Sequence, residues 1–274
     1  MKRHLAKLCV LLLAAAGLSV TTATGAGATT VVKARLTVVI DNLPVAAETR
    51  AGYDRTKFRL WVDANGDCQD TRDEVLAAES LVRVRGCDIR VGKWRSYYDR
   101  QVTTRSSGFD IDHLVPLAEA WDSGAGLWTA DTRRRYANDL GDSRSLVAVT
   151  ASSNRSKADQ DPAQWQPRYD KCRYVRQWVA VKIRWSLKVN PAEKQALRSR
   201  ASRCADTVLT VRRVSISRTS STGAAGTTSG GTTDPRFDYC YQAVAAGYGP
   251  YYRGSDAEYA WYTDGDGDGV VCES

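Results

Sequence analysis

Few side chains can trade a proton near neutral pH, and this sequence sets one of them beside a carboxylate. The chain has two histidines, His4 and His113, and imidazole is the group whose ordinary pKa falls in that range. Asp112 stands directly before His113, within Asp110-Ile111-Asp112-His113-Leu114-Val115-Pro116. A carboxylate is a hard oxygen ligand suited to Mg²⁺, Mn²⁺ or Ca²⁺. A base next to such a ligand is what metal-assisted hydrolysis needs, with base and cation acting on one water and one phosphate. Further along, Asn154-Arg155-Ser156-Lys157 adds an amide oxygen at a helix start. Lys157 follows three residues later on about the same helix face, where it, like Arg155, can meet a neighbouring phosphate. An isolated Asp-His pair reads more simply as a hydrogen-bonded histidine in an inert fold. The Asn-x-x-Lys start behind a strand tips the reading to catalysis.

Ligand-type residues gather twice more. In Asp264-Gly265-Asp266-Gly267-Asp268-Gly269-Val270-Val271-Cys272-Glu273, carboxylates alternate and are followed by a glycine and a glutamate. Three aspartates so close repel one another unless a cation such as Ca²⁺ collects them, and Gly269 permits the turn around it. Glu273 stands at position 10, where a full EF-hand loop has its glutamate at about position 12. The simpler alternative is a solvated acidic tail. Asp63, Asn65 and Asp67, with Glu74 eleven residues after Asp63, imitate positions 1, 3, 5 and 12 of the same loop. Its sixth position, which wants glycine, is Cys68, so a polar turn pinned by a disulfide is favoured there over bound Ca²⁺.

Elements must bring the first group together. Leu146-Val147-Ala148-Val149-Thr150 is a compact β-branched run that predicts a buried strand. Ser152 or Ser153 then caps a short helix opening at Asn154. A strand hairpin packed on that helix places Asp112 and Asn154 on one cation, with His113 reaching the water opposite. Leu117–Trp121 predicts a helical turn, Thr129 caps a helix running to Leu140, and Val91–Tyr98 reads as a strand or turn. Leu76–Val84 is open between helix and strand. Tyr174, Trp178, Val181 and Trp185 form one apolar helical stripe, which is core. Asn190-Pro191-Ala192-Glu193 is a strong helix start, and that helix runs to about Cys204. Residues 29–42 read as a loose lead, with the folded domain spanning 43–206. The collapse to Ser, Thr, Gly and Ala predicts a flexible linker over 214–234. Residues 235–274 are too few to fold on an apolar core alone and need a staple.

The chain opens with Lys2, Arg3 and Lys7, then runs apolar from Leu8 to Val20, and Ala26-Gly27-Ala28 offers a cleavage site. Residues 1–28 therefore read as a secretory signal peptide, and no later stretch is apolar enough to span a bilayer. Losing three cations takes the net charge from +8 to +5. From Pro235 onward two arginines face seven acids, which leaves about +10 on residues 29–234. A basic body suggests a polyanionic partner, and an acidic tail suggests a cation. Cys68, Cys87, Cys172, Cys204, Cys240 and Cys272 remain after Cys9 is removed. Six cysteines allow 15 pairings. Their grouping into three well-separated pairs predicts Cys68–Cys87, Cys172–Cys204 and Cys240–Cys272, as suits an exported chain. A zinc site is disfavoured by the lack of a C-x-x-C pair.

Asp112-His113-Leu114-Val115-Pro116, Leu146–Thr150 and Asn154-Arg155-Ser156-Lys157 together resemble the ββα-metal motif of HNH endonucleases. More narrowly, they resemble a secreted actinobacterial subgroup related to modification-dependent restriction enzymes. Cys68-Gln69-Asp70-Thr71-Arg72, Trp121-Asp122-Ser123-Gly124, Tyr136-Ala137-Asn138-Asp139-Leu140 and Asp159-Gln160-Asp161-Pro162 extend the likeness over roughly Leu43 to Cys204. The resemblance implies an α+β fold with a ββα core and added helices. It assigns His113 as general base, and Asp112 and Asn154 as ligands of catalytic Mg²⁺ or Mn²⁺. The family's middle Asn, which orients the base, falls at Ser145 here, so either Ser145 or Asn138 takes that role. The tail resembles the excalibur module, an extracellular calcium-binding region, with Asp264, Asp266, Asp268 and Glu273 as its ligands.

These expectations amount to a secreted endonuclease that hydrolyses nucleic acid, with DNA ahead of RNA. A small disulfide- and calcium-stabilised module follows it, with cell-wall polymer a second partner and wall association a further expectation. The rival is a non-catalytic extracellular calcium-binding surface protein whose HNH motif is vestigial.

Overall fold

Period-two burial and long-range pairing build the sheets. In the computed structural model the residues described are 19–21, 30–219, 236–237, 239–240, 243, 251–253, 256–264 and 269–272. The chain divides into two units, Met1–Ser221 and Thr222–Ser274. In the first unit β1 (Ser19–Thr21), β2 (Val31–Arg35) and a strand from the far end of the unit, Val208–Arg212, form an antiparallel sheet. Helix α1 (Leu36–Asp41) follows β2 and buries Leu36, Val39 and Ile40. Residues 30–41 are therefore part of the core and not a loose lead. Their partner strand lies more than 170 residues away, Val31 opposite Arg212, a pairing no local window of sequence displays.

Helix α2 (Thr71–Glu79) starts earlier than its apolar run suggests, because the Asp70 carboxylate accepts from the Asp73 amide and caps it. Next come β3 (Val91–Arg95) and β4 (Val102–Arg105), an antiparallel pair with a register shift between Val91 and Trp94. A short turn leads to β5 (Phe109–His113), then α3 (Leu117–Asp122) and α4 (Ala130–Ala137). The Thr129 hydroxyl caps α4 by accepting from Thr132 N, and the helix stops at Ala137, three residues before Leu140. Strand β6 (Leu146–Thr150) is buried at every position and pairs antiparallel with β5.

Helix α5 (Ala151–Lys157) follows β6 at once and is capped by Thr150, whose hydroxyl accepts from Ser153 N. Ser152 and Ser153 lie inside the helix, so Asn154 sits at its middle and not at its start. Helix α6 (Lys171–Arg184) buries Tyr174, Trp178 and Val181, with Trp185 buried just beyond its end. Helix α7 (Pro191–Ala201) has Asn190 as its cap, accepting from Glu193 N, and β7 (Val208–Arg212) closes the unit's sheet. Disulfides join Cys68 to Cys87 and Cys172 to Cys204.

The chain after β7 does not become a linker at 214. Val214 and Ile216 pack on the core, Thr129 N donates to Ser217 O at 3.1 Å, and Thr219 N donates to Leu127 O at 2.8 Å. The folded segment thus reaches beyond 43–206 at both ends, continuous over 30–219 with β1 at 19–21 before it, and residues 220–235 lie outside those described. Low-complexity composition misleads over 215–219 because main-chain groups make these contacts. In the second unit β8 (Tyr251–Tyr252) pairs antiparallel with β9 (Val270–Val271), and Cys240 is bonded to Cys272. Ala243, Tyr251, Val271 and Cys272 form its buried cluster, while Tyr239 is exposed. The architecture is α+β with small antiparallel sheets.

Candidate active site

Two antiparallel strands followed by a helix carry the candidate residues. The β5–β6 register places Asp110 opposite Val149, Asp112 opposite Val147 and His113 opposite Leu146. Neighbouring residues on a strand point to opposite faces, so Asp110 and Asp112 share one face while His113 takes the other. Helix α5 leaves β6 at Thr150 and carries Asn154 and Lys157 to the Asp110–Asp112 side, where both make side-chain contacts. Asp112 and His113 are the last two residues of β5, and at that strand end both border one cavity of about 270 Å³, together with Asn154, Arg55, Ile111, Arg155 and Asp159.

His113 is only 6% exposed. Its Nε2 lies 2.9 Å from the Ala137 carbonyl oxygen, which can only accept. Nε2 therefore carries the proton, and Nδ1 is the basic atom. The ring runs nearly parallel to those of Trp61, at 5.7 Å and 25°, and Tyr136, at 6.3 Å and 22°. Burial is the chief reason its pKa falls from 6.5 to about 4, which keeps the imidazole neutral at pH 7. The Ala137 contact works the other way, and the charges of Arg55 and Lys157 assist the fall.

Neither residue assigned to orient this base does so directly. Ser145 donates to Asp139 Oδ2 at 2.6 Å, joining a buried network in which Arg184 and Trp185 also bond Asp139. Asn138 Nδ2 donates to Arg59 O at 2.7 Å, and its Oδ1 accepts from Val62 N at 3.0 Å. The orienting acceptor is the main-chain carbonyl beside Asn138. Asn138 instead grips residues 59–62, where Trp61 is held at φ 53° against the imidazole. That φ is left-handed and uncommon for a bulky side chain.

Asp112 is 5% exposed, and both its oxygens are engaged. Lys157 Nζ donates to Oδ1 at 2.8 Å and Tyr98 OH to Oδ2 at 2.6 Å. Lys157 is completely buried and also donates to His113 O at 3.0 Å. The assignment of Lys157 to a substrate phosphate is therefore corrected: its charge is spent on Asp112 and has no route to solvent. Burial pushes the Asp112 carboxyl up and the Lys157 ammonium down, and their contact opposes both shifts. Arg155, 78% exposed and 4.0 Å from Asp110, is the cation of this helix that remains open to a phosphate.

Asn154 Nδ2 donates to Asp110 Oδ2 at 3.1 Å. This leaves its carbonyl oxygen, the amide atom that ligates hard cations, without a hydrogen-bond partner among the described residues. Each Asp112 oxygen keeps a second lone pair. The donor set of Asp112, Asn154 and the neighbouring Asp110 is all oxygen, which suits Mg²⁺ or Mn²⁺.

Among the described residues, one carboxylate cluster with metal-like spacing lies elsewhere, at Glu48, Glu119 and Glu193. Lys182 already supplies its cation, 2.6 Å from Glu119 and 3.1 Å from Glu193. Burial raises Glu193 to about 7 despite that ammonium.

The Asp63 loop does gather its residues, but around amide donors. Asp63 accepts from Gly66 N and Cys68 N, and Asn65 Nδ2 donates to Asp67 at 3.0 Å and Glu74 at 3.3 Å. Cys68 adopts φ 77°, the conformation an EF-hand gives its glycine. These are the contacts of a polar turn, and the Cys68–Cys87 bond pins it. In the tail, Asp264 Oδ2 accepts from Arg253, Tyr259 and Gly269 N at 2.7, 2.6 and 3.0 Å. Asp266, Asp268 and Glu273 lie outside the described residues.

Sequence reasoning missed Tyr98, Trp61 and the Ala137 carbonyl. A lone aromatic gives no period to read, and a carbonyl has no residue signature. Asp110 carried a signal, since it stands two before Asp112 on a strand and must share its face.

Residues 76–200 match the GmrSD restriction endonuclease C-terminal domain, and residues 237–273 match the Excalibur calcium-binding domain. A protein of Arthroderma benhamiae described as an uncharacterized secreted protein is 43% identical over 157 residues, 56% of this chain and 76% of that relative. No solved structure gives a significant match. With that relative and three disulfides, the chain is a secreted protein of the same family, carrying a GmrSD endonuclease C-terminal domain and an Excalibur calcium-binding domain.

Proposed function

We propose that the protein is a secreted metal-dependent HNH endonuclease of the ββα-metal type, hydrolysing phosphodiester bonds in DNA. One observation carries this reading: Asp112, Asn154 and a neutral, buried His113 line a single open cavity. Asp112 and Asn154 would hold Mg²⁺ or Mn²⁺, whose charge offsets that building on the leaving oxygen. His113 takes the proton of the attacking water on Nδ1, because the Ala137 carbonyl fixes Nε2 as the protonated nitrogen. Lys157 and Tyr98 hold the Asp112 carboxylate in one rotamer, and Asp110 does the same for the Asn154 amide. Arg55 and Arg155 at the cavity wall draw the phosphate chain in. In the Excalibur domain, Asp264, Asp266, Asp268 and Glu273 would hold Ca²⁺.

The test is cleavage of supercoiled plasmid with Mg²⁺ or Mn²⁺. His113→Ala should lower the rate by about 10²–10⁴-fold, the usual contribution of a general base, and EDTA should abolish it. Cleavage that survives the substitution removes His113 from the chemistry. No cleavage with any divalent ion favours a non-catalytic calcium-binding surface protein.

A further inference from the structure

We propose that the outer face of the β3–β4 hairpin is a duplex-binding arm that grips the phosphate backbone outside the cleft. The inference rests on the nuclease reading for its partner, but its test does not depend on turnover. Between residues 81 and 105 the sequence has seven basic and two acidic side chains, a net +5. That equals the whole net charge expected for residues 29–274.

The fold holds these charges outward. Along β3, burial alternates, with Val91, Lys93 and Arg95 exposed and Gly92 and Trp94 buried. Trp94 is 1% exposed and its indole donates to Leu76 O at 2.8 Å. A Cβ at Gly92 would lie 2.5 Å from that indole ring, so the inner face is sealed and the ribbon has a single rotation available to it. Arg105, opposite Val91, is exposed. Arg83 and Arg85 stand on a flanking segment tied to β3 through Leu81 N to Lys93 O, and secured beyond by the Cys68–Cys87 bond.

Arg83, Arg85, Lys93, Arg95 and Arg105 make no ion pair among the described residues. Buried cations in the same unit are paired: Lys157, Lys182 and Arg184 each meet a carboxylate. Five like charges on one small surface repel one another, and a polyanion removes that cost.

Continuity with the cleft selects a nucleic acid. β4 ends at Arg105 and a three-residue turn leads straight into β5. Asp110 lies five residues after Arg105, hence within about 17 Å of it along the chain. A duplex presents a charge about every 1.7 Å of its axis, so one molecule seated at the cleft offers several phosphates over that reach. Val91 and Val102, 65% and 52% exposed, stand between the cations. The same mixture would also suit an anionic bilayer, so vesicles enter the test.

The measurement is fluorescence anisotropy of the full chain with a labelled DNA duplex in EDTA, from about 50 to about 200 mM NaCl. Each cation meeting a phosphate adds about 0.9 to the salt slope. Lys93→Ala/Arg95→Ala/Arg105→Ala should therefore cut the slope by about 2.7, so that this salt increase weakens wild type about 40-fold more than the variant. The charge-keeping Lys93→Arg/Arg95→Lys/Arg105→Lys should retain the wild-type slope. Should the triple alanine variant misfold by circular dichroism, Arg95→Ala alone should lower the slope by about 0.9. An unchanged slope overturns the proposal. So does wild type that fails to bind duplex, or a variant that loses only its binding to phosphatidylglycerol vesicles. Normal binding and slopes without plasmid cleavage overturn the nuclease reading alone.

Discussion

At the residue scale, neighbours that themselves do no chemistry hold His113 neutral with its proton on one nitrogen, the state that the proposed role as a base requires. A neutral imidazole needs its proton placed on one nitrogen, and a carbonyl places it more firmly than a side-chain amide that can rotate. Aromatic contacts with Trp61 and Tyr136 then restrict the ring, each worth about 0.5–1.5 kcal/mol beyond simple burial. Trp61 is the stronger case, because its φ of 53° shows that the loop accepts backbone strain to place it. Trp61→Ala should slow single-turnover plasmid cleavage by about tenfold or more, since small misplacements of a catalytic group are costly. Trp61→Phe keeps a ring and should restore most of the rate. His113 is the one imidazole in residues 29–274, so its ring protons report the loss of stacking directly by NMR. An alanine variant with wild-type rate and unshifted ring signals would dismiss the clamp.

At the scale of elements, side chains carrying hydrogen bonds between elements set the site's geometry. Glu79 at the end of α2 accepts from Ala148 N of β6 at 3.1 Å, tying the helix to the strand that pairs with β5. Burial raises its pKa to about 7, while the Ala148 amide and the charge of Arg173 oppose the shift. The folded value exceeds the unfolded one, so the stability linked to this carboxyl is complete below about pH 4.5 and lost as pH rises through about 7. Glu79→Gln mimics the protonated form and can still accept from Ala148. Urea unfolding should find the variant more stable than wild type by about 3 kcal/mol at pH 8, with the difference vanishing near pH 4.5. Equal gaps at both values would show that the carboxylate is not paying a burial cost.

For the molecule as a whole, separate apolar clusters are reinforced by covalent links. Cys172 and Cys204 are 32 positions apart, and their bond spans α6 and α7, whose facing sides hold the Lys182–Glu193 pair. A loop of that length gives a chain-entropy stabilisation of about 3–4 kcal/mol. Cys172→Ser/Cys204→Ser should lower the folding free energy by about that amount in guanidinium titration of the full chain. A loss well under about 1 kcal/mol would mean that packing alone holds the two helices.

The sequence by itself determined the chemistry available and most local structure. Asp112-His113 and Asn154, the buried strand over 146–150, the α6 stripe and the Asn190-Pro191 helix start were all legible, because period, capping and ligand type act over a few residues. Tertiary structure decided the rest. It joined β2 to β7 across the unit, laid residues 214–219 on the core, and gave the imidazole to the Ala137 carbonyl instead of Ser145 or Asn138. It also turned Lys157 from a phosphate contact into the buried partner of Asp112. Each of these depends on which distant groups share one low-dielectric space, where a charge must find its partner and a main-chain acceptor counts as much as a side chain.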